Sequence, residues 1–382
     1  LPDDDDEDNS TTIHWHGLRV PNAMDGVSLV QDPIEPGETF EYEYVIPDPG
    51  THWYHPHIRT NVQVERGLHG GMVIHESNGV EVDRDRLFML DDIDLQPNGA
   101  LAPFDLDEGI GLDATWGRLG NLMLVNGISV REEPITDLVI SGGVERWRLV
   151  NNANARTMYI EINGAQWRLI ARDGTLIQEP QTLERLQIAA GQRVDLEVLP
   201  GESEVDLQIF TRNKEQEGEV FEEIHAFEGV PDRPQEPGEW KEWDPPTFID
   251  MEDASQGVSL LFDGEETSNG NSMEWTINGE MWDAANDLEV LEAGTPSTIT
   301  VTNDSDYVHP FHMHGNFFQV ISIDGEPPDY SARYDTVMVD PQSEIKLYTD
   351  FVNPGKWMAH CHILEHAALG MMTAFNVQES KR

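Results

Sequence analysis

Histidines in this chain cluster at spacings that metal chemistry uses. His14-Trp15-His16-Gly17, His55-Pro56-His57, His309-Pro310-Phe311-His312-Met313-His314-Gly315 and His360-Cys361-His362, the last followed by His366 and Met371, make four groups. On an extended chain residues two apart point to the same side, so each His-X-His pair presents two imidazoles toward one point. Four pairs supply eight such rings. Zinc is normally satisfied by four ligands, so eight converging imidazoles imply a polynuclear centre, and imidazole suits copper. Cys361, between two histidines, faces the other way. Its thiolate can join His309, His366 and a weak axial Met371 in the His₂Cys trigonal arrangement of blue-copper electron-transfer sites. The chain has a single cysteine, which excludes an intramolecular disulfide framework and stands where a low-pKa, metal-bound thiolate would. One centre would then collect single electrons and the other would store them, the two joined covalently through Cys361 and its neighbours His360 and His362.

The elements that must position these residues read as strands. Phe40, Tyr42, Tyr44 and Ile46 alternate with Glu41 and Glu43, the period-two pattern of a half-buried strand. Val194, Leu196 and Val198 repeat it, as do Ile299 and Val301. Pro36-Gly37, Pro49-Gly50, Asn163-Gly164 and Pro354-Gly355 supply turns between such runs, and few helical periods are present. The expected fold class is all-β, built of sandwiches.

Internal repeats sharpen that expectation. Residues 124–174 and 276–325 both run from Asn-Gly through a strand, a Gly turn and a strand ending in Asn, to a last strand closing on Asp-Gly. Residues 36–57 and 340–362 are similar in the same way. The chain reads as three copies of one sandwich: a first domain over 1–82, a second over 83–225, a linker over 226–247 and a third domain over 248–382. In the third copy a long run of strand precedes the histidine motif, whereas His14 lies close to Leu1. The first copy is therefore expected to lack its opening strands, and any export signal, within this chain.

The four histidine groups resemble those of the multicopper oxidases, the laccase family. The similarity covers essentially the whole chain and follows the prokaryotic three-domain type, which includes the copper-efflux oxidases. It implies three cupredoxin-like (plastocyanin-like) Greek-key sandwiches and four copper ions as cofactors. By this resemblance His309, Cys361, His366 and Met371 bind type 1 copper, and His14 and His312 bind type 2 copper. His16, His55 and His362 bind one type 3 copper; His57, His314 and His360 bind the other. The implied activity is one-electron oxidation at type 1, transfer through Cys361, and reduction of dioxygen to water at the trinuclear centre. Dioxygen reduction needs protons, and a carboxylate is the natural relay. Asp25 matches the acidic residue that similar enzymes place after the first histidine pair. Directly after the last type 1 histidine many bacterial relatives carry an acid; this chain has Ala367 there, with Glu365 on the other side of His366.

His52, His69, His75 and His225 lack ligand spacing and read as ordinary sandwich or loop histidines. The tryptophans are scattered, and no Met- or His-rich insert is present. That favours a laccase-like range, phenols or aromatic amines, over a metallo-oxidase acting on cuprous or ferrous ion. A non-catalytic copper-binding or cell-envelope scaffold is the third reading. Composition restricts the partners further. Asp plus Glu number 72 against 23 Lys plus Arg, a net charge of −49, and such a field repels nucleic-acid phosphate and anionic lipid. The carboxylates are spread along the chain, while the five lysines are Lys214, Lys241, Lys346, Lys356 and Lys381. Self-repulsion on this scale is screened when the Debye length falls to about 3 Å near 1 M salt, so a high-salt environment is expected. No apolar run is long enough to span a membrane, and nothing at the N-terminus reads as a signal peptide. By family, an extracellular or cell-envelope location is expected.

Overall fold

The computed structural model describes residues 9–77, 79–104, 112–131, 133–212, 221–232, 239–244, 248, 254–267, 273–285 and 288–380. Among these residues the strands form five sheets. His14–His16, Gly50–His55 and Gly70–Ile74 make a three-stranded antiparallel sheet. A seven-stranded and a five-stranded sheet follow, built from strands between Arg84–Ile93 and Phe221–Pro231. The last two sheets have six and five strands, lying between Gln256–Glu266 and Met372–Gln378. Trp147, Leu149 and Leu196 of the seven-stranded sheet are buried in one core with Ile160 and Leu207 of its five-stranded partner. Phe262, Trp275 and Ile299 do the same with Phe311 and Phe375 in the last pair. The all-β expectation holds, and helix is confined to short pieces such as Thr60–Glu65, Leu112–Trp116 and Leu364–Ala368.

The internal repeat is visible in the backbone. Asn126-Gly127 has φ of 52° and 77°, and Asn278-Gly279 has 57° and 77°; Asp173-Gly174 has 43° and 78°, and Asp324-Gly325 has 50° and 83°. Two successive positive φ values are what tight type I′ hairpin turns demand, and Asn-Gly or Asp-Gly tolerates them at least cost. Gly50 and Gly355 share a φ of 142° and open the strands Gly50–His55 and Gly355–Cys361, which end on two of the histidine groups.

Three expectations change. Phe40–Ile46 forms no strand. Its alternation survives as half-burial of Phe40, Tyr42 and Tyr44, but no neighbouring strand among the described residues supplies a ladder. Tyr42 Oη instead accepts the Ile13 N–H at 2.9 Å, and the rings of Tyr42 and Tyr44 pack edge-on against Trp15. The strand Phe221–Pro231 runs past residue 225 into the segment expected to be linker, held by antiparallel pairing to Val205–Arg212 and parallel pairing to Ile135–Ile140; residues 233–238 and 245–247 lie outside the described residues. Arg193–Pro200 is buried at every position rather than on one face, because it lies between Ala165–Arg172 and Glu145–Asn151 in the middle of the seven-stranded sheet.

Buried arginines bind carboxylates on and beside the seven-stranded sheet. Arg148 bonds Asp85 and Asp195, Arg146 bonds Asp195 and Glu76, and Arg156 bonds Asp92 at 2.6 Å. Removing one partner of such a pair strands a charge and costs about 3–5 kcal/mol. In so acidic a chain these arginines neutralise the carboxylates that the packing cannot expose.

Candidate metal centre

Strand pairing carries the histidine groups to one place. His14 lies opposite His55 in the first sheet, and His312 lies opposite His360 in the last. The two sheets then meet ring to ring. His16 stacks on His312 at 3.8 Å with planes 11° apart, and His14 on His314 at 3.8 Å and 26°. His55 approaches His362 at 5.7 Å, and His57 approaches His360 at 5.3 Å. The eight imidazoles make one cage, fully buried except for half-buried His57.

In most of these rings one nitrogen is tied and the other is turned inward. Carbonyl and carboxylate oxygens only accept, so each tied nitrogen carries the proton. Nδ1–H donates from His14 to the Asp25 carbonyl (3.0 Å), from His55 to the Pro56 carbonyl (3.0 Å) and from His312 to the Asp335 carbonyl (2.9 Å). The same nitrogen of His314 donates to Asp25 Oδ2 (2.9 Å), and that of His360 to the Cys361 carbonyl (2.9 Å). His16 is reversed: its Nε2–H donates to Asp335 Oδ1 at 3.1 Å. The remaining nitrogens, His14 Nε2, His16 Nδ1, His55 Nε2 and His312 Nε2, are buried without a hydrogen-bond partner, as are both nitrogens of His362. His360 Nε2 lies 3.0 Å from His314 Nε2 and 3.5 Å from His57 Nε2. Buried lone pairs without donors are costly. Metal ions satisfy them, and metal-bound histidines characteristically give their other N–H to a carboxylate or carbonyl. The residues present fit such a group.

Burial, first, and then the neighbouring imidazoles hold His55, His57, His314 and His362 well below the usual histidine range. Burial likewise lowers His16 and His312, partly opposed by Asp335, and takes His360 down to about 3. These rings are therefore neutral at ordinary pH, with lone pairs available to a cation. Ligand atoms of His57, His314 and His360 lie within 4.8 Å of one another, as do those of His14, His16 and His55, and of His14, His312 and His314. His14 belongs to two such groups, so the cage is continuous.

A second cluster lies on the other face of the strand Gly355–Cys361. Cys361 Sγ is 3.5 Å from His309 Nδ1 and 3.7 Å from His366 Nδ1, and the two nitrogens are 3.2 Å apart. Their outer nitrogens are tied: His366 Nε2–H donates to the Thr115 carbonyl (3.2 Å) and His309 Nε2–H to Ser305 Oγ (2.8 Å). Burial, and after it the Glu365 charge, push the Cys361 thiol up, so a thiolate in this place needs a cation beside it. Met371 is fully buried; its N–H donates to the His366 carbonyl and its carbonyl accepts the Cys361 N–H. The Trp275 indole stacks on His366 at 4.0 Å.

Every histidine singled out by spacing is thus in one cluster or the other, and Asp25 is buried against His14 and His314. Glu365 points elsewhere, its carboxylate accepting Asn154 Nδ2–H (2.8 Å) and the Arg118 N–H (2.9 Å). His52 is buried apart from the cage with neither nitrogen bonded. His69 pairs with Asp91 and His225 with Asp206, while His75 is exposed. Spacing missed Asp335 and Thr336, whose Oγ1 approaches both His16 and His312. No local signal marks them.

Comparison with known proteins agrees with this geometry. Three family profiles, each described as multicopper oxidase, match residues 6–79, 113–206 and 258–381. The multicopper oxidase MmcO of Mycobacterium tuberculosis is 29% identical, over 95% of this chain and 76% of its own length. The solved multicopper oxidase of Pseudomonas thermotolerans is 30% identical with a TM-score of 0.80, covering 97% of this chain and 87% of that one. The multicopper oxidase of Campylobacter jejuni, described as a metallo-oxidase, is 27% identical with a TM-score of 0.82, over 98% and 81%.

The chain belongs to the multicopper oxidase family. Its members are copper-dependent oxidoreductases that bind four coppers, one type 1, one type 2 and two type 3, and use dioxygen with a reducing substrate. No helix among the described residues is long and apolar enough to cross a membrane.

Proposed function

We propose that this chain is a laccase-like oxidase that takes single electrons from phenols or aromatic amines and reduces dioxygen to water. In this reading His309, Cys361, His366 and Met371 would hold the type 1 copper, and His14 and His312 the type 2. His16, His55 and His362 would hold one type 3 copper, and His57, His314 and His360 the other. Bound copper would supply both the one-electron oxidation and the four-electron reduction of dioxygen. The chain supplies everything around it. Cys361 sits between His360 and His362, so one tripeptide spans both clusters. Asp25 holds the His314 Nδ1–H and serves as the proton-handling carboxylate. A cavity of about 310 Å³ lined by Ser28, Asn61 and Ala367 reaches His57 and His360 and is the route for dioxygen. Ala367 contributes no carboxylate there, so proton delivery rests on Asp25.

The substrate class rests on one observation. A cavity of about 400 Å³ lies beside the Cys361 cluster, with Val308 and Ile363, the neighbours of His309 and His362, in its wall. Trp116, Leu119, Tyr159 and Pro341 also line it beside Arg156, Gln187 and Arg212, and apolar walls interleaved with polar groups suit an aryl ring that carries hydroxyl or amine substituents. Asp306 and Asp340 on the same cavity favour the second reading, oxidation of cuprous or ferrous ion. An extracellular or cell-envelope site in brine completes the proposal, supported by the net charge of −49.

Oxygen uptake by the copper-loaded protein in molar salt, with a methoxyphenol and separately with cuprous ion, tests the assignment. Faster uptake with the phenol is expected; uptake with cuprous ion alone selects the second reading. No uptake with either, in protein carrying a full complement of copper, overturns both.

A further inference from the structure

The middle sandwich holds none of the proposed copper ligands, yet one of its turns reaches the histidine cage. We propose that the turn Ala189–Arg193, and Arg193 above all, is a positioning element for the trinuclear centre, an inference that rests on the ligand assignment above. Arg193 is fully buried. Its Nη1 and Nη2 donate to Asp335 Oδ1 and Oδ2 at 2.7 and 2.6 Å, and its Nε donates to the Thr51 carbonyl of the first sheet at 3.1 Å. Asp173 braces the pair from the other side, accepting the Arg193 N–H at 3.1 Å through Oδ1 and the Thr336 N–H at 3.1 Å through Oδ2. Gln192 donates to the Thr336 carbonyl at 2.9 Å. Gly191, at φ 85°, lies so close to the His362 ring that a Cβ would stand 2.8 Å from it.

The bidentate fork fixes the plane of the Asp335 carboxylate. Its Oδ1 is thereby aimed at His16 Nε2, and Thr336 Oγ1 donates to the same oxygen at 2.9 Å. His16 is thus held in the tautomer that turns Nδ1 into the cage, whereas His14, His55, His312, His314 and His360 have Nδ1 tied. Arg193 also neutralises a carboxylate that would otherwise sit buried and unpaired against a ligand.

Two observations separate this role from generic packing. In the third sandwich, Asp324 and Glu344 exchange the hydrogen bonds that Asp173 and Arg193 exchange in the second, and Glu344 is exposed. The fold itself does not call for a buried arginine at this position. The glycine of the first histidine motif makes the room: a Cβ on Gly17 would lie 2.1 Å from Arg193 Nη2 and 2.7 Å from Asp335 Oδ2.

The test compares Arg193→Met, Arg193→Lys, the charge-balanced double variant Arg193→Met with Asp335→Asn, and Arg168→Met, which breaks the ion pair to buried Glu197 away from the ligands. Copper per chain at limiting copper, the blue absorption and the type 2 electron paramagnetic resonance spectrum are read on each. Arg193→Met is expected to weaken copper binding in the cage by about 10–100-fold and alter the type 2 spectrum while keeping the blue absorption. The double variant should recover part of the copper, and Arg168→Met should leave both spectra unchanged at a lowered melting temperature. If Arg193→Met does not fold, Arg193→Lys, which keeps the charge and loses the fork, carries the same comparison. Full copper with an unchanged type 2 spectrum in the Arg193 variants overturns the inference, as does equal damage in Arg168→Met or loss of the blue absorption together with all copper. Wild-type protein that takes up no copper would instead overturn the proposed function.

Discussion

His16 and His312 stack at 3.8 Å with their planes 11° apart, one from the first sheet and one from the last, and both rings donate to the same residue, Asp335. The cage is therefore an interface, closed only when the two ends of the chain meet. Its companion contacts, His14 on His314 and His57 beside His360, repeat the arrangement, so neither sheet alone offers more than half of the inward-facing nitrogens.

The two clusters share a strand but not their ligands, and this separates their spectra. Cys361→Ser is expected to abolish the blue absorption while leaving copper in the cage, because all eight cage imidazoles and their tied nitrogens are untouched. Absorption and metal analysis on one sample check it; loss of all copper would contradict the division into two sites.

Asp25→Asn keeps the shape of a side chain that accepts from His314 Nδ1–H at 2.9 Å but cannot take up a proton. A positioned acid or base contributes typically 10²–10⁴-fold, so kcat with a phenol should fall by about that factor with the blue absorption intact. Unchanged turnover would show that protons arrive by another route.

Gly17→Ala places a Cβ against Arg193 and Asp335 at a backbone φ of 81°. The strained backbone alone costs about 1–3 kcal/mol, and displacement of the guanidinium adds to it. Thermal unfolding should move to lower temperature and cage copper should drop; a stable, fully loaded variant would mean that the turn yields without consequence.

The metal-free protein should be acid-sensitive in a defined window. Burial pushes His360 and His366 down to about 3 and holds His55, His57, His314 and His362 well below the usual range. Below pH 6.5 the unfolded chain therefore binds more protons than the folded one. Stability falls as pH drops from about 6.5 toward 3, by up to about 1.4 kcal/mol per pH unit for each such histidine. Glu65, raised by burial to about 8, and Glu365 and Asp173, each raised chiefly by burial to about 7, act oppositely, losing stability as pH rises above their unfolded values, but they are outnumbered. Denaturant titrations from pH 4 to 8 should show the acid limb in the metal-free protein, displaced to lower pH by copper. A flat profile would contradict the burial of the cage.

With 72 acidic against 23 basic residues, raising the salt from about 0.1 to 1 M shortens the Debye length from about 10 to 3 Å. The melting temperature should climb across that range. A decrease would argue against adaptation to brine.

What the order of residues determined by itself was local. Spacing of two along a strand sets which imidazoles share a side, so all four histidine groups and the opposite-facing Cys361 could be read directly, as could the Asn-Gly and Asp-Gly turns within the second and third sandwiches. Pattern failed where an interaction needs a partner from elsewhere. Phe40–Ile46 alternates correctly but has no strand to pair with among the described residues, and the side chain of Glu365 turned to Asn154 and Arg118. Arg193 and Asp335 belong to no motif, and Asp173 was legible only as the first residue of an Asp-Gly turn. Arg193 meets Asp335 across 142 residues, and Asp335 meets His16 across 319. Only the packing of three sheet systems brought these charges together. Once water was excluded, the Asp335 carboxylate required its guanidinium and the cage histidines fixed tautomers, and that requirement exists only in the folded chain.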